Sequence, residues 1–513
     1  MRIAIGWLIC PTSPPGASGR KATPPSKQRS PTCEPREQTM NKPITLAKLN
    51  HWIDGATAEP SDAIYLDNVN PMTGGPGPSV AAGSRADVDA AVAAAKRSAD
   101  GWRRFNAAER GRLMMGLAAK MRENRETLAE MERADTGKPM PMAYAEVDGS
   151  IAYFEFYGSL VYLPKGDVLD VAPDQHVFTK REPYGIVGVI TPWNLPLNQA
   201  ARAIAPALVA GNVIVAKPSE ITSQTTIEMA RLATEVGFPN GVINIVLGTG
   251  KEVGEAIVRN PDVRKVAFTG SVGVGRAIGH IAADRIIPLT LELGGKSANI
   301  VFDDADIDTA ATEAVKGFTL NAGQVCSAGT RVLVQRSVYD VFLEKMKSAV
   351  QAIVPGENLG PIITPAQFQR VQSFFKVAEG DGARLVHGGA AAEGDGFYIQ
   401  PTVYADVSND MRIAQEEIFG PVGVVIPFDT EEDAIRIAND SDYGLIGTVW
   451  SQNISRALRV ADRIDAGQIF VNVWNTMSVQ TPFGGYKNSG YGREKGIEAI
   501  HHYSHLKTVT VKI

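Results

Sequence analysis

A thiol, a carboxylate and an amide stand out for their neighbours. Cys326 lies in NAGQVCSAGT among the small residues Ala322, Gly323, Ser327, Ala328 and Gly329, which leave room for a substrate and for backbone N–H groups. A cysteine attacks carbon only as its thiolate, so its surroundings must favour that form. The alternative is a small buried core residue. Glu292, in LELGGKS, ends an apolar run just before Gly294 and Gly295. It is either a surface carboxylate or a general base held at a turn. Asn194 closes TPWN, where the proline ends a strand. Its amide carries two donors, fit for an oxyanion or for a turn.

Three further strings could grip a nucleotide. Lys217 and Glu220, in KPSE, follow a strand: an ammonium can donate to a ribose and a carboxylate can accept from it. The bland reading is a solvated loop. Gly270 and Ser271, in FTGS, precede the helical VGRAIGHIA, and a hydroxyl at a helix N-terminus suits a phosphate. The spacing Gly270, Gly273, Gly275 is not G-x-G-x-x-G, so the usual dinucleotide fingerprint is missing.

Other chemistries are excluded. Cys10, Cys33 and Cys326 are too few for a disulfide framework and wrongly spaced for zinc, and no HExxH, CxxC or GxSxG occurs; no metal is expected. A net charge of −5 over 513 residues gives no reason to expect nucleic acid. No apolar run reaches the roughly 20 residues a bilayer requires. Sparse cysteine suits a reducing cytoplasm.

The elements that must hold these residues follow from periodicity. Asp87–Arg97 and Ala107–Asn124 read as helices. Gly185–Thr191, Asn212–Lys217, Val242–Leu247 and Lys265–Thr269 read as short buried strands with helical segments between them, the pattern of a parallel α/β sheet. A second α/β region follows from about Gly295 to Lys487. Residues 1–39 are rich in proline and lack an acidic residue before Glu34. They read as a disordered extension ahead of a natural start at Met40, with a targeting segment as the alternative.

Taken together and in order, TPWN, KPSE, FTGS, LELGGKS, GQVCSAGT, EEIFGPV with Glu417 and Phe419, and PFGGYKNSG with Phe483 closely resemble the aldehyde dehydrogenase superfamily, from about Met40 to Ile513. The resemblance implies a Rossmann-like cofactor domain (40–164 and 184–294), an α/β catalytic domain (295–488) and a β oligomerisation arm (165–183 and 489–513). It implies a homodimer or homotetramer in which the terminal strand, with its alternating TVTV, joins another subunit's sheet.

The resemblance also assigns roles. Cys326 attacks an aldehyde to give a thiohemiacetal and then a thioester. The Asn194 amide and the Cys326 N–H hold the oxyanion, and Glu292 activates the hydrolytic water. Thr191, Trp193, Lys217, Ser219, Glu220, Gly270, Ser271, Leu293, Gly294, Glu417 and Phe419 hold the cofactor. Glu220 would repel a 2′-phosphate, which favours NAD, with NADP as the alternative. Leu195, Asn198, Gln199, Arg202, Val325, Ser327 and Phe483 line the substrate tunnel. Arg202 binds a substrate carboxylate, stacks on an aromatic aldehyde or makes a structural ion pair. Relatives specific for succinic semialdehyde carry a second arginine where this chain has Leu320, which weakens the first role. Two other functions remain: a coenzyme A-acylating dehydrogenase, whose members generally lack the glutamate, and an inactive binding protein of the same fold.

Overall fold

Five strands, Ile186–Ile190, Val213–Lys217, Ile243–Ile245, Val263–Thr269 and Leu289–Glu292, make the parallel centre of the first sheet. In a computed structural model, residues 48–163, 166–476 and 478–513 are described. The expected extension 1–39, the start at Met40 and the first arm residue, Lys165, lie outside them. Numbered by chain order, the five strands run 3-2-1-4-5 across the sheet. They are short and apolar because helices cover them. Helices Arg85–Arg104, Pro196–Val209 and Gln224–Val236 pack on the sheet. Gly188 permits the close approach of a further helix, Glu255–Arg259, since a Cβ there would lie 2.6 Å from Ile257 Cγ2. His51–Ile53 and Ala56–Ala58 extend the sheet antiparallel at one edge.

The other edge differs from the sequence expectation. Gly490–Tyr491, assigned there to the arm, pairs antiparallel with Leu289–Glu292. The glycine is required: a Cβ at Gly490, with φ +109°, would lie 1.9 Å from the Leu291 carbonyl.

The second sheet has seven strands, in the order Arg384–His387, Thr402–Ala405, Val422–Phe428, Arg331–Gln335, Ala298–Val301, Ile446–Trp450 and Gln468–Val471. All pairings are parallel except that of Arg384–His387. Ile300, Leu333 and Val424 enter one apolar cluster, and their neighbours Val301, Val332 and Val425 enter another. This period-2 division means that both faces are buried. A third sheet joins Val168–Leu169, Gln175–Pro183 and Ser504–Lys512, the last two in antiparallel register from Ser504 opposite Pro183 to Lys512 opposite Gln175.

Helices Ala107–Glu123, Arg125–Thr136 and Met140–Ser159 form a layer that packs on Pro196–Val209. That helix opens with Pro196 in its first turn, two residues after Asn194. Proline suits this position because its missing N–H would have no helical partner there.

Candidate active site

Strands Ile186–Ile190 and Val263–Thr269 are neighbours, and the chain leaves them toward opposite sides of the sheet. Such a reversal opens a crevice at the carboxyl ends of the strands, where ligands bind in open α/β sheets. Trp193 and Asn194 follow the first strand, Gly270 and Ser271 follow the second, and Glu292 ends the next strand over. All five line a cavity of about 490 Å³, together with Gln199, Leu293, Gly294, Cys326, Glu417 and Phe419. Residues from both large sheets therefore face one space.

The Cys326 loop is held by unusual backbone. Asn321, Ala322 and Gly323 have φ of 51°, 53° and 71° in succession, a left-handed run that only glycine adopts without strain. Hydrogen bonds hold the run in place. The fully buried Gln324 donates from Nε2 to the Asn321 and Pro361 carbonyls (3.0 and 3.1 Å) and accepts from the Ile363 N–H (2.9 Å). Asn194 is tied to the same loop. Its Nδ2 donates to the Gln324 carbonyl at 2.7 Å, and its own carbonyl accepts from Asn321 Nδ2 at 2.9 Å. One amide proton of Asn194 is thereby spent on the loop, and the second is left for an oxyanion. Gly295 lets the loop close, for a Cβ there would lie 2.3 Å from the Cys326 carbonyl.

Burial dominates the electrostatics. It pushes the Cys326 thiol up to about 11, against the pull of the Arg202 guanidinium. Glu292 is only 1% exposed, and neither carboxylate oxygen has a hydrogen-bond partner among the described residues. Burial, then the carboxylate of Glu494, raises its pKa well above the usual range, and Arg202, Arg493 and Lys495 oppose the shift. Both shifts favour the uncharged forms, of the thiol and of the acid. Such an acid becomes a strong base once its proton leaves.

On the cofactor side, Glu417 Oε1 accepts from the Gly295 N–H at 3.1 Å, and burial raises its carboxyl to about 7. Phe419, with φ 59°, meets Trp193 edge to face at 5.4 Å. Gln367 fixes it by donating to the Ile418 and Phe419 carbonyls, and Arg370 donates to the Glu417 carbonyl. Lys217, Thr191 and Ser219 are buried at strand ends just beyond this cavity, with Glu220 half-buried beside them. Lys217 Nζ donates to Glu220 at 2.9 Å and to the Pro218 carbonyl at 2.8 Å. The two side chains expected to share a ribose thus already hold each other.

Of the expected tunnel residues, only Gln199 lines this cavity. Leu195 and Asn198 are half-buried, and Val325 is buried. Ser327 accepts from Asn475 Nδ2 at 3.4 Å. Arg202 is buried, ion-paired with Glu494, 3.3 Å from Thr269 Oγ1 and 5.2 Å from the Phe483 ring centre. The sequence reading missed Glu494 and Lys495 next to Phe483, and Gln367, Arg370 and Tyr443 on the cofactor side. GREKG, which holds Glu494 and Lys495, lies only a few residues past PFGGYKNSG and was the available signal. Among the described residues no group of acidic, histidine or cysteine side chains is arranged to hold a metal, and no helix is long and apolar enough to cross a membrane.

The family model described as "Aldehyde dehydrogenase family" matches residues 58–509. The chain is 41% identical over 475 residues to a betaine aldehyde dehydrogenase of Rhizobium leguminosarum, covering 90% of this chain and 97% of the relative. The indole-3-acetaldehyde dehydrogenase of P. syringae, solved with NAD+ and IAA, superposes with a TM-score of 0.89 at 38% identity over 90% of this chain and 96% of that one. The betaine aldehyde dehydrogenase of Staphylococcus aureus, solved with NAD+, gives 0.88 at 40% identity over 90% and 94%.

Proposed function

The chain belongs to the aldehyde dehydrogenase family, and from that premise we propose that it oxidises an aldehyde to the carboxylic acid with NAD+ and water through a thioester on Cys326. One observation carries the reading: Cys326, Glu292 and Asn194 open on the same cavity as Glu417 and Phe419, at the strand-order reversal of the first sheet.

Cys326 gives up its proton to solvent water, its thiolate Sγ bonds to the aldehyde carbon, and the carbonyl π electrons move to oxygen. The free amide proton of Asn194 and the Cys326 N–H stabilise that oxygen, each by about 3 kcal/mol in the transition state. Bound NAD+ supplies the hydride acceptor that turns the adduct into a thioester. Glu292 then takes a proton from water, whose oxygen attacks the thioester carbon, and the acid leaves as the thiol re-forms. An unpaired carboxylate in this cavity supports hydrolysis over transfer to coenzyme A.

The residues fit the cofactor. Glu417, Phe419 and Trp193 would hold the nicotinamide ribose beside Leu293 and Gly294. Gly270 and Ser271 would meet the phosphates, where Ser271 caps helix Val272–Arg285. Thr191, Lys217, Ser219 and Glu220 would hold the adenosine ribose. The Glu220 carboxylate repels a 2′-phosphate, which favours NAD over NADP. The names of the relatives offer a quaternary ammonium aldehyde and an aromatic one as substrate classes to try. A thiol that must stay reduced fits the cytoplasm. The third sheet supports a homodimer or homotetramer.

Cys326→Ala tests the reading directly. It should abolish NADH formation by the purified protein while NAD+ binding, followed by fluorescence titration, is retained. Steady NADH production by this variant would overturn the covalent route.

A further inference from the structure

Two cations, Arg202 and Lys495, face the Phe483 ring, with the Glu494 carboxylate against the first of them. Arg202 is ion-paired with Glu494, so those two charges cancel. Lys495, the next residue, has no ion pair and no hydrogen bond from its ammonium among the described residues, although the side chain is half-buried. Its position is fixed on both sides. Glu494 and Phe483 exchange backbone hydrogen bonds of 2.6 and 2.7 Å, and the Gly496 N–H donates to the Val479 carbonyl at 2.8 Å. The Lys495 Nζ lies 4.9 Å from the centre of the Phe483 ring, and the Arg202 guanidinium carbon lies 5.2 Å from it. Cys326 packs against the apolar cluster that contains this ring. The ammonium also acts on the charge of both Cys326 and Glu292, which places it within electrostatic reach of the reacting carbon. Desolvation lowers Lys495 only to about 8, so it remains mainly charged at neutral pH. The charges of Arg202 and Glu494 offset each other, which leaves the Lys495 ammonium as a positive charge without an ion-pair partner among the described residues.

We propose that Lys495 makes this site select aldehydes by charge, favouring those that carry a carboxylate or other anion and disfavouring quaternary ammonium aldehydes. The proposal rests on the dehydrogenase reading above and names its substrate class. A quaternary ammonium is held best by aromatic faces free of competing cations. Here Phe483, the ring at this end, already faces two. A substrate carboxylate meets the opposite situation, an ammonium still without an anionic partner in a partly desolvated place. Identity of 41% to a betaine aldehyde dehydrogenase therefore does not extend to its substrate.

Three aldehydes separate charge from shape. Betaine aldehyde is cationic. Tert-butylacetaldehyde has the same branching with carbon in place of nitrogen. Succinic semialdehyde is anionic. Each is assayed for kcat/KM by NADH formation in the wild type, Lys495→Met and Lys495→Arg, so that ratios between variants cancel the intrinsic reactivity of each aldehyde. The wild type should use tert-butylacetaldehyde at least about tenfold better than betaine aldehyde. Relative to the neutral probe, Lys495→Met should raise kcat/KM for betaine aldehyde and lower it for succinic semialdehyde, each by about tenfold. Lys495→Arg should keep the wild-type order. The neutral probe also reports whether each variant is folded. A shift by the same factor for all three would overturn the proposal, because it would show Lys495 acting on Cys326 and not on the substrate. A wild type that prefers betaine aldehyde to its carbon isostere would overturn it as well. Absence of NADH from every aldehyde would instead bring down the dehydrogenase reading, and this inference with it.

Discussion

Glu292 has to lose a proton that its surroundings retain. Burial and the neighbouring Glu494 raise its pKa, so the carboxylate fraction grows as pH climbs through the raised value. The Cys326 thiol, held up to about 11, shifts the same way. Both trends make kcat/KM rise from neutral into alkaline pH, and a pH–rate profile flat from about pH 6 to 9 would contradict the assignment. Glu292→Gln separates the two half-reactions, since an amide accepts a hydrogen bond but takes no proton. Rapid mixing should give about one equivalent of NADH per site and then a very slow steady rate. No burst at any pH would mean that Glu292 serves thiol activation instead. The contributors to this cavity differed in how readable they were. Cys326, Glu292 and Glu417 sit in contiguous strings with small or apolar neighbours, and one glance along the chain finds them. Arg370 and Tyr443 have no such string and gain their meaning only when distant segments meet, and Glu494, in GREKG, gains its meaning only beside Arg202. Arg202 remained open among three roles because its ion-pair partner, Glu494, is 292 positions away.

At the scale of elements, a buried charge cluster holds the helix that follows Asn194. Lys138 is ion-paired with both Glu132 and Glu146, and all three are almost fully buried. Glu132 accepts from the Leu197 N–H at 3.1 Å and the Thr225 hydroxyl at 2.6 Å, and Glu146 accepts from the Asn198 N–H at 3.4 Å. The two carboxylates thus satisfy N–H groups at the first turn of Pro196–Val209, where the helix dipole favours negative charge. Lys138→Met removes the cation and leaves two carboxylates facing each other in the interior. Loss of one partner from such a cluster typically costs about 3–5 kcal/mol, and urea unfolding should show a loss of that order. Because Asn194 immediately precedes this turn, kcat should fall more than the KM for NAD+. An unchanged urea midpoint would show that the cluster is not a stabilising support. The strands were legible because each buried run is short, apolar and ended by glycine or proline. Ile186–Ile190 and Val213–Lys217 lie within a residue of the runs that their composition marks. The place of Gly490–Tyr491 was not legible, because a two-residue edge pairing has no period to read and depends on a glycine fitting against the Leu291 carbonyl.

Across the whole molecule, the third sheet is the part least able to stand alone. Its central strand, Gln175–Pro183, pairs over its full length with Ser504–Lys512 but over only two residues with Val168–Leu169. Its root is anchored: Glu182 is ion-paired with Arg103, Lys180 and Lys507, and the hydrogen bonds from Lys180 and Lys507 hold its carboxyl at about 2. Along this arm Val168, Val171, Leu506, Val511 and Ile513 stand exposed, Ile513 at 80%. A long strand with one open edge and apolar side chains in water favours pairing with another chain. If a second copy covers it, removing residues 507–513 deletes most of one strand without touching the cavity around Cys326. Sedimentation velocity should then show the wild type as a dimer or tetramer and the truncated chain as a smaller species. Linkage provides an independent readout. A folded state stabilised by association has a melting temperature that rises with protein concentration, and this dependence should weaken in the truncated chain. Loss of assembly with NADH formation retained would mean that the arm only assembles subunits. Loss of both would mean that the neighbouring subunit also supports the active site. A wild type that sediments as a monomer at assay concentration, with a melting temperature independent of concentration, would rule out the arm as an assembly device.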